Sequence, residues 1–165
     1  MNKYWIVIKK MKPVGPVFYG DKVVIIGEAY HVLPNLERSG SYSRGSIVSD
    51  GSKVFARVVR DYGKYFGEKQ KTKEIKTLVP NKNGRFTLEV DTSNYPKYKC
   101  SFYQIEFLEN RDSKHPCFVD TIQTKDIGDC SFAVITKEFW VWAKKLEKKR
   151  STELKNEEAL RRRPQ

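Results

Sequence analysis

Short runs of β-forming residues, separated by turn-forming residues, occupy most of this chain and limit its fold more than any other feature. In Phe86–Val90 and Cys100–Phe107, apolar and polar side chains alternate as they do in half-buried strands. Six further runs are also β-rich: Trp5–Ile8, Val23–Ile26, Val54–Val59, Ile75–Leu78, Cys117–Ile122 and Cys130–Ile135. About eight short strands at this spacing predict an all-β sandwich or barrel over residues 1–135.

The inward faces of these strands are expected to form the hydrophobic core. The predicted core residues are Ile6, Ile8, Val24, Ile26, Phe86, Leu88, Val90, Phe102, Ile105, Phe107, Val119, Phe132 and Val134. Asn81–Gly84 is predicted to be a turn, because Asn and Gly favour turn conformations. Ser39–Ser52, which is rich in Ser and Gly, is predicted to be the longest loop. We interpret it as a mobile loop, with a functional loop as the alternative.

After Ile135 the hydrophobic period changes to that of a helix. Phe139, Trp142, Ala143 and Leu146 follow the i, i+3, i+4, i+7 spacing, so we expect a helix that is capped by Thr136 and packs its first turns on the sheets. Beyond Leu146 the sequence is polar nearly all round, which indicates a solvent-exposed helix or one that orders on a partner. Residues 136–165 are therefore a separate helix and tail, with candidate partner-binding residues Trp140, Leu154, Leu160, Arg161, Arg162 and Arg163.

The positive charge of the chain is large and concentrated. The formal net charge is +12 and the isoelectric point is about 9.6. Between Lys53 and Arg85 there are ten Lys or Arg residues and three Asp or Glu residues, a balance of +7. Such a charge predicts a polyanionic partner, namely nucleic acid, an anionic membrane face or an acidic protein surface.

Cysteine usage and the N-terminus point to the cytoplasm. Cys100, Cys117 and Cys130 form no CxxC pair, which argues against a disulfide framework and a zinc site and predicts reduced thiols. The apolar run near Trp5–Ile8 is too short for a signal peptide or a membrane span. Any contact with a membrane is therefore expected to be peripheral.

Motifs of catalysis and cofactor binding are missing from the sequence. There is no GxxxxGK[ST], GxGxxG, HExxH or GxSxG string, and His31 and His115 each lie beside a turn signal. The acids Asp112, Asp120, Asp126 and Asp129 are interpreted as solvated turn residues, although they could converge in space. We predict a protein that is not an enzyme and has no cofactor or metal.

One segment favours nucleic acid as the alternative partner. Arg57–Phe66 interleaves basic and aromatic residues, and exposed rings with nearby cations hold single strands by stacking and phosphate contacts. Tyr62, Tyr65 and Phe66 are the candidate stacking residues. The alternative function is accordingly a nucleic-acid-binding protein of the viral matrix or nucleoprotein-associated type.

The segment Lys71–Val90 resembles the third-to-fourth-strand region of a C2 domain. It contains Lys71-Thr72-Lys73, Thr77-Leu78, Pro80, Asn83, Phe86, Leu88 and Val90. Compatible pieces in the same order are Val23–Pro34, Ser49-Asp50 with Val54–Val58, Phe102–Leu108 running to Asp112, and Asp126–Gly128 before Cys130–Ile135. The similarity covers about residues 20–135 and implies an antiparallel β-sandwich.

The same resemblance indicates whether the domain binds calcium. Only Asp50 and Asp112 lie near the family's positions for acidic calcium ligands, and Glu109, Asn110 and Arg111 replace its Asp-x-Asp pair. Calcium takes six to eight oxygen ligands, several of them carboxylates, so we expect a calcium-independent domain.

The resemblance also implies a function for the lysines, because this face of C2 domains often binds anionic lipid headgroups. The candidate anion- and lipid-binding residues are Lys69, Lys71, Lys73, Lys76, Lys82 and Arg85. In the alternative interpretation, the lysines of an edge strand only prevent edge-to-edge aggregation.

These features together predict a C2-like β-sandwich with a C-terminal helix. It would be a non-enzymatic binding or scaffolding module in the cytoplasm. Its basic sheet face would dock on anionic phospholipid or on an acidic protein surface. A structural role in a larger assembly is compatible with this prediction.

Overall fold

The computed structural model describes residues 3–34, 42–61, 69–94, 100–121 and 130–162, and only the backbone at 60, 61 and 69–73. These residues contain ten strands and one long helix. The strands are β1 (Tyr4–Lys12), β2 (Val17–Phe18), β3 (Lys22–Pro34), β4 (Tyr42–Ile47), β5 (Val54–Asp61), β6 (Lys69–Leu78), β7 (Arg85–Asp91), β8 (Cys100–Leu108), β9 (Phe118–Thr121) and β10 (Cys130–Ile135). The helix is α1 (Lys137–Arg161).

The strands form two five-stranded sheets. In the first, sheet A, β1 lies between β9 and β3, and the other edge of β3 pairs first with β7 and then with β4. In the second, sheet B, the order is β2-β10-β8-β5-β6. The pairs β1–β9 and β2–β10 are parallel and the remaining pairs are antiparallel. The predicted β-rich fold with a C-terminal helix is confirmed, and all eight predicted strands are present.

The inner faces of the two sheets share one hydrophobic core. Tyr103 and Phe107 of sheet B and Ile6, Ile25 and Leu88 of sheet A are among its largest fully buried side chains. Strand β7 illustrates how a strand directs every second side chain into this core, since exposed and buried residues alternate from Arg85 to Val90. Full burial of an aliphatic or aromatic side chain stabilises the fold by about 1.5–3 kcal/mol.

Three predicted core positions were wrong. Val24 and Ile26 lie half-buried on the outer face of β3, and Val23 and Ile25 occupy the core instead. The run Val23–Ile26 is apolar on both sides, so its pattern could not select the inner face. Phe102 is 53% exposed, because its neighbour Tyr103 enters the core.

The predicted long loop is also wrong in part, because β4 runs through it. Tyr42–Ile47 pairs antiparallel with the second half of β3, although its Ser-Arg-Gly content has low β propensity. Gly45 lies against β3 so closely that a Cβ there would be 2.8 Å from Leu33 Cγ and 2.9 Å from the His31 carbonyl oxygen. Backbone pairing therefore outweighs the local preference. Residues 35–41 of the predicted loop lie outside the described residues.

One of the two sheets is curled into a half-barrel. In the order of sheet A, β3 and β1 separate β4 from β9, which in a flat sheet corresponds to about 14 Å between those two strands. The rings of Tyr42 on β4 and Phe118 on β9 nevertheless lie 5.8 Å apart. Side chains from β4 and β9 therefore meet across the outer face of sheet A.

Helix α1 begins as predicted but does not pack as predicted. The Phe139 backbone N–H donates to Thr136 Oγ1 at 3.2 Å, which caps the first turn. No residue of the helix is buried. Trp140 meets Phe18 edge to face at 6.1 Å, whereas Trp142 and Leu146, which were expected to face the sheets, are 57% and 51% exposed. The separation of residues 136–165 as a distinct unit stays a prediction.

Candidate functional site

Strand β6, which carries most of the predicted anion-binding lysines, lies at the edge of sheet B. It pairs with β5, and the register shifts where Val59 pairs with Lys71 and Arg57 pairs with Ile75. Three residues of β6 thus face a single residue of β5, and such an irregularity bends an edge strand and interrupts its ladder. Lys69, Lys71 and Lys73 are on this strand, but their side chains lie outside what the structure describes.

Lys76 has a structural contact rather than a free ammonium group. Its Nζ donates to the carbonyl oxygen of Glu89 on β7 and lies 3.9 Å from Glu74 Oε1. Because β6 belongs to sheet B and β7 to sheet A, this side chain joins the edges of the two sheets. Its positive charge is partly neutralised within the protein.

Lys82 is displayed at the tip of the turn between β6 and β7. Asn81 Oδ1 accepts hydrogen bonds from the backbone N–H groups of Asn83 and Arg85 at 2.9 and 3.0 Å, which confirms the predicted turn. Gly84 adopts φ +73°, and its carbonyl oxygen accepts from the Ala29 N–H at 2.8 Å. Within the described part of the chain, Lys82 is exposed and has no ion pair.

Arg85, three residues further on, lies beside a buried carboxylate. Its Nε is 3.8 Å from Glu28 Oε1, and Glu28, which is only 9% exposed, also lies 3.4 Å from Lys9 Nζ. The Tyr30 hydroxyl donates a hydrogen bond to Glu28. This hydrogen bond, together with the charges of Lys9 and Arg85, outweighs burial and lowers the pKa of Glu28, and it raises the pKa of Tyr30. Arg85 is therefore partly compensated, whereas Lys82 is not.

The outer face of sheet A holds an aromatic cluster that the sequence did not predict. Trp5 and Phe118 lie 5.3 Å apart at a tilt of 41°, and Tyr42 meets Phe118 at 39°. Trp5 Nε1 donates to Asp120 Oδ2 at 2.7 Å. Because the rings are tilted against one another, they cover the outer face and do not form a flat platform for stacking. The apolar, β-branched run that starts at Trp5 was the one available signal, and the other rings come from distant strands.

The predicted tail residues lie on or next to α1. Lys144 Nζ lies 4.6 Å over the Trp140 ring, so this tryptophan contacts both a cation and the sheet residue Phe18. Leu154 and Leu160 are 57% and 63% exposed. Arg161 is exposed in the last turn, Arg162 pairs with Glu158 at 2.6 Å, and Arg163 lies outside the described residues.

The two acids at the family's calcium positions do not form a cation site in the structure. Asp50 Oδ1 accepts the Ser52 N–H at 3.0 Å, and the hydrogen bonds from Ser52 lower the pKa of Asp50. Asp112 is exposed. Over residues 3–34, 42–61, 69–94, 100–121 and 130–162, no three His, Cys, Asp or Glu side chains are grouped to hold a metal ion. Asp126 and Asp129 lie outside those ranges, as do Tyr62, Tyr65 and Phe66.

The three cysteines are free thiols with little tendency to ionise. Burial raises the pKa of Cys117 and of Cys130 to about 12 and also raises that of Cys100. Because the thiolate is the reactive form, burial makes Cys117 and Cys130 poor nucleophiles.

No helix in the described ranges combines the length and the apolar character needed to span a bilayer. Comparisons of the chain with protein-family models, with curated proteins and with solved structures give no match. The resemblance to C2 domains therefore rests on the residues quoted above.

Proposed function

We propose that this chain is a non-enzymatic, calcium-independent binding module with a C2-like β-sandwich. It docks on anionic phospholipid through a basic edge, defined as β6 together with the Asn81–Gly84 turn. The observation that carries the proposal is the display of Lys82, without a compensating acid among the described residues, at the tip of a rigid turn that continues this strand.

The C2-like part of the proposal is supported by the order of the elements. Strands occur in the quoted segments Val23–Pro34, Val54–Val58, Lys71–Val90, Phe102–Leu108 and Cys130–Ile135, and the two sheets share one core. The short strand β2, strand β4 and the two parallel pairings are additions to the expected antiparallel arrangement.

The energetics favour reversible docking. Each lysine near an anionic leaflet contributes about 1 kcal/mol, and the contribution declines over a Debye length of about 10 Å. Four lysines, Lys69, Lys71, Lys73 and Lys82, belong to the basic edge besides Lys76, whose ammonium joins the two sheets. A few such contacts bind a membrane reversibly without anchoring the protein to it.

The proposal is tested by co-sedimentation with vesicles of phosphatidylcholine, with and without phosphatidylserine, in calcium or in chelator. We expect binding to the anionic vesicles alone, equally strong with and without calcium. Lys82→Ser should weaken binding about fivefold, since about 1 kcal/mol is lost. Lys3→Ser is the matched control and should change binding less than about twofold, because Lys3 lies outside the basic edge and its Nζ pairs with Glu109 Oε1 at 3.4 Å.

Other partners would give a different result. The protein could instead fail to bind anionic vesicles and shift the mobility of single-stranded RNA or DNA, with a shift that weakens steeply as salt is added. That result would identify nucleic acid, and not lipid, as the partner. Recovery in a large complex without binding to either would favour a structural role on an acidic protein surface. Stronger vesicle binding in calcium would contradict the calcium-independent site.

A further inference from the structure

Helix α1 carries an apolar stripe, defined by Phe139, Trp142, Ala143 and Leu146, of which Trp142 and Leu146 are exposed whereas Phe139 and Ala143 are half-buried. Their i, i+3, i+4, i+7 spacing places them on one side of the first three turns. Phe139 and Trp142 contact each other with ring centroids 5.6 Å apart. Trp142 is 57% and Leu146 51% exposed, and no residue of the helix is buried.

The opposite side of the same turns is basic. Lys137, Lys144, Lys145 and Lys148 lie there, around Val141. From Lys144 to Arg150 the helix carries five Lys or Arg residues and one Glu, a balance of +4. A tryptophan-containing stripe with lysines opposite it is the pattern of a helix that lies in the plane of an anionic membrane interface.

We propose that α1 is such an interfacial helix, and that its apolar stripe inserts among the headgroups of the anionic membrane on which the basic edge docks. This inference rests on the proposed function. It names a second and chemically different contact with the same membrane.

Charge complementarity favours the membrane over a second copy of the chain as the occupant. Two copies that met along the stripe would bring together two helices that each carry a balance of +4 between Lys144 and Arg150, and like charges repel. The stripe also ends after Leu146, because the next positions at this spacing are Lys149 and Glu153, so it cannot continue as a coiled-coil seam. An anionic membrane surface neutralises the lysines, and tryptophan is enriched at membrane interfaces.

Two attachment points explain how weak contacts give useful binding. Stable membrane association generally requires two signals, of which a basic patch is one. Binding of the basic edge would raise the local concentration of the stripe at the surface, because both belong to one chain.

The test compares two substitutions on the same turns. Leu146→Ser removes an apolar side chain from the stripe, and Val141→Ser removes an equally exposed one, also 51%, from the lysine side. On phosphatidylcholine–phosphatidylserine vesicles we expect Leu146→Ser to weaken binding about tenfold and Val141→Ser less than about twofold. Far-UV circular dichroism of both variants verifies that α1 is intact.

A second measurement reports how deeply the stripe inserts into the membrane. Brominated lipid should quench the tryptophan fluorescence of the wild-type protein, and Trp142→Phe should remove most of the quenching, since Trp5 and Trp140 contact the protein. Equal binding by Leu146→Ser and Val141→Ser, with quenching that does not depend on Trp142, would overturn the inference.

The outcomes separate the two proposals. If the wild-type protein binds anionic vesicles and Lys82→Ser weakens binding, but the stripe variants do not, only the interfacial helix is wrong. If the wild-type protein binds no anionic vesicle, both proposals are wrong.

Discussion

The turn between β6 and β7 and the helix α1 are both exposed and basic, but the protein holds them in opposite ways. The turn is fixed by the hydrogen bonds of Asn81 and by the contact of Gly84 with Ala29. The helix has no buried residue, and its contact with the sheets is made by Trp140 on Phe18. The difference teaches that a charge can be displayed on a turn that hydrogen bonds hold in place or on a helix that has no buried residue.

The two modes suit different contacts. A lysine on a fixed turn keeps its position relative to the sheets and loses little conformational freedom on binding. A helix with no buried residue can present its apolar stripe to a membrane without removing a side chain from the core. The following predictions test this contrast, from the largest expected effect to the smallest.

Rigidity of the turn is tested most severely at Gly84. Its φ of +73° disfavours any side chain, and a Cβ there would lie 2.9 Å from Ile47 Cβ. We expect Gly84→Ala to lower the free energy of unfolding by about 2–4 kcal/mol, measured by urea denaturation. Gly51→Ala is the control, since Gly51 has φ +83° with open space around it. It should cost only about 1–2 kcal/mol, and an equal loss at both sites would contradict the role of Ile47.

The contribution of the Glu28 carboxylate beside Arg85 is tested by the pH dependence of the free energy of unfolding. In Glu28→Gln the new amide oxygen can still accept from Tyr30, but the charge that attracts Lys9 and Arg85 is gone. We expect a loss of about 1–2 kcal/mol at neutral pH. Because folding lowers the pKa of Glu28, its charge stabilises the protein above the ordinary pKa of 4.5, and this contribution disappears as pH falls through the lower folded-state pKa. The difference between wild type and variant should therefore shrink below pH 4.5, and a constant difference would show that charge is not its cause.

Whether the helix is energetically independent of the sheets is tested at its N-terminal cap, Thr136. Thr136→Ala removes an acceptor for the first turn, which costs about 1 kcal/mol of helix stability. Since α1 is not buried, we expect faster amide exchange at residues 137–140 and no change in the urea midpoint of the sheets. Thr152→Ala, in mid-helix, should slightly increase helicity, because Thr152 bonds back to the Lys148 carbonyl and alanine is the better helix former. An equal shift of exchange and urea midpoint in Thr136→Ala would show that the helix is coupled to the core.

The local sequence pattern was sufficient to predict the structure where one physical preference dominated. The alternation in Phe86–Val90 gave both the strand and its buried face, and Thr136 marked the start of the helix. The pattern failed where two faces were equally apolar, as at Val23–Ile26. It also failed at β4, where pairing with β3 decides the structure and the residues themselves do not.

The candidate surfaces show the same limit. That Asn81–Gly84 forms a turn could be predicted, so the exposure of Lys82 followed. The capture of Lys76 by the Glu89 carbonyl could not be predicted, because it depends on how the two sheets meet. The direction of α1 could not be predicted either, because it depends on how the chain continues from the end of β10. In the structure this direction brings Trp140, and not Trp142, to Phe18.

The parallel pairing of β1 with β9 has a consequence for synthesis of the chain. Trp5 on β1 and its hydrogen-bond partner Asp120 on β9 are separated by 115 positions. On the ribosome, β1 can meet β3 early, but its second edge waits until β9 has emerged. An open edge is a template for pairing with other chains. The nascent protein is therefore most exposed to aggregation during the long interval between translation of its first strand and of its ninth.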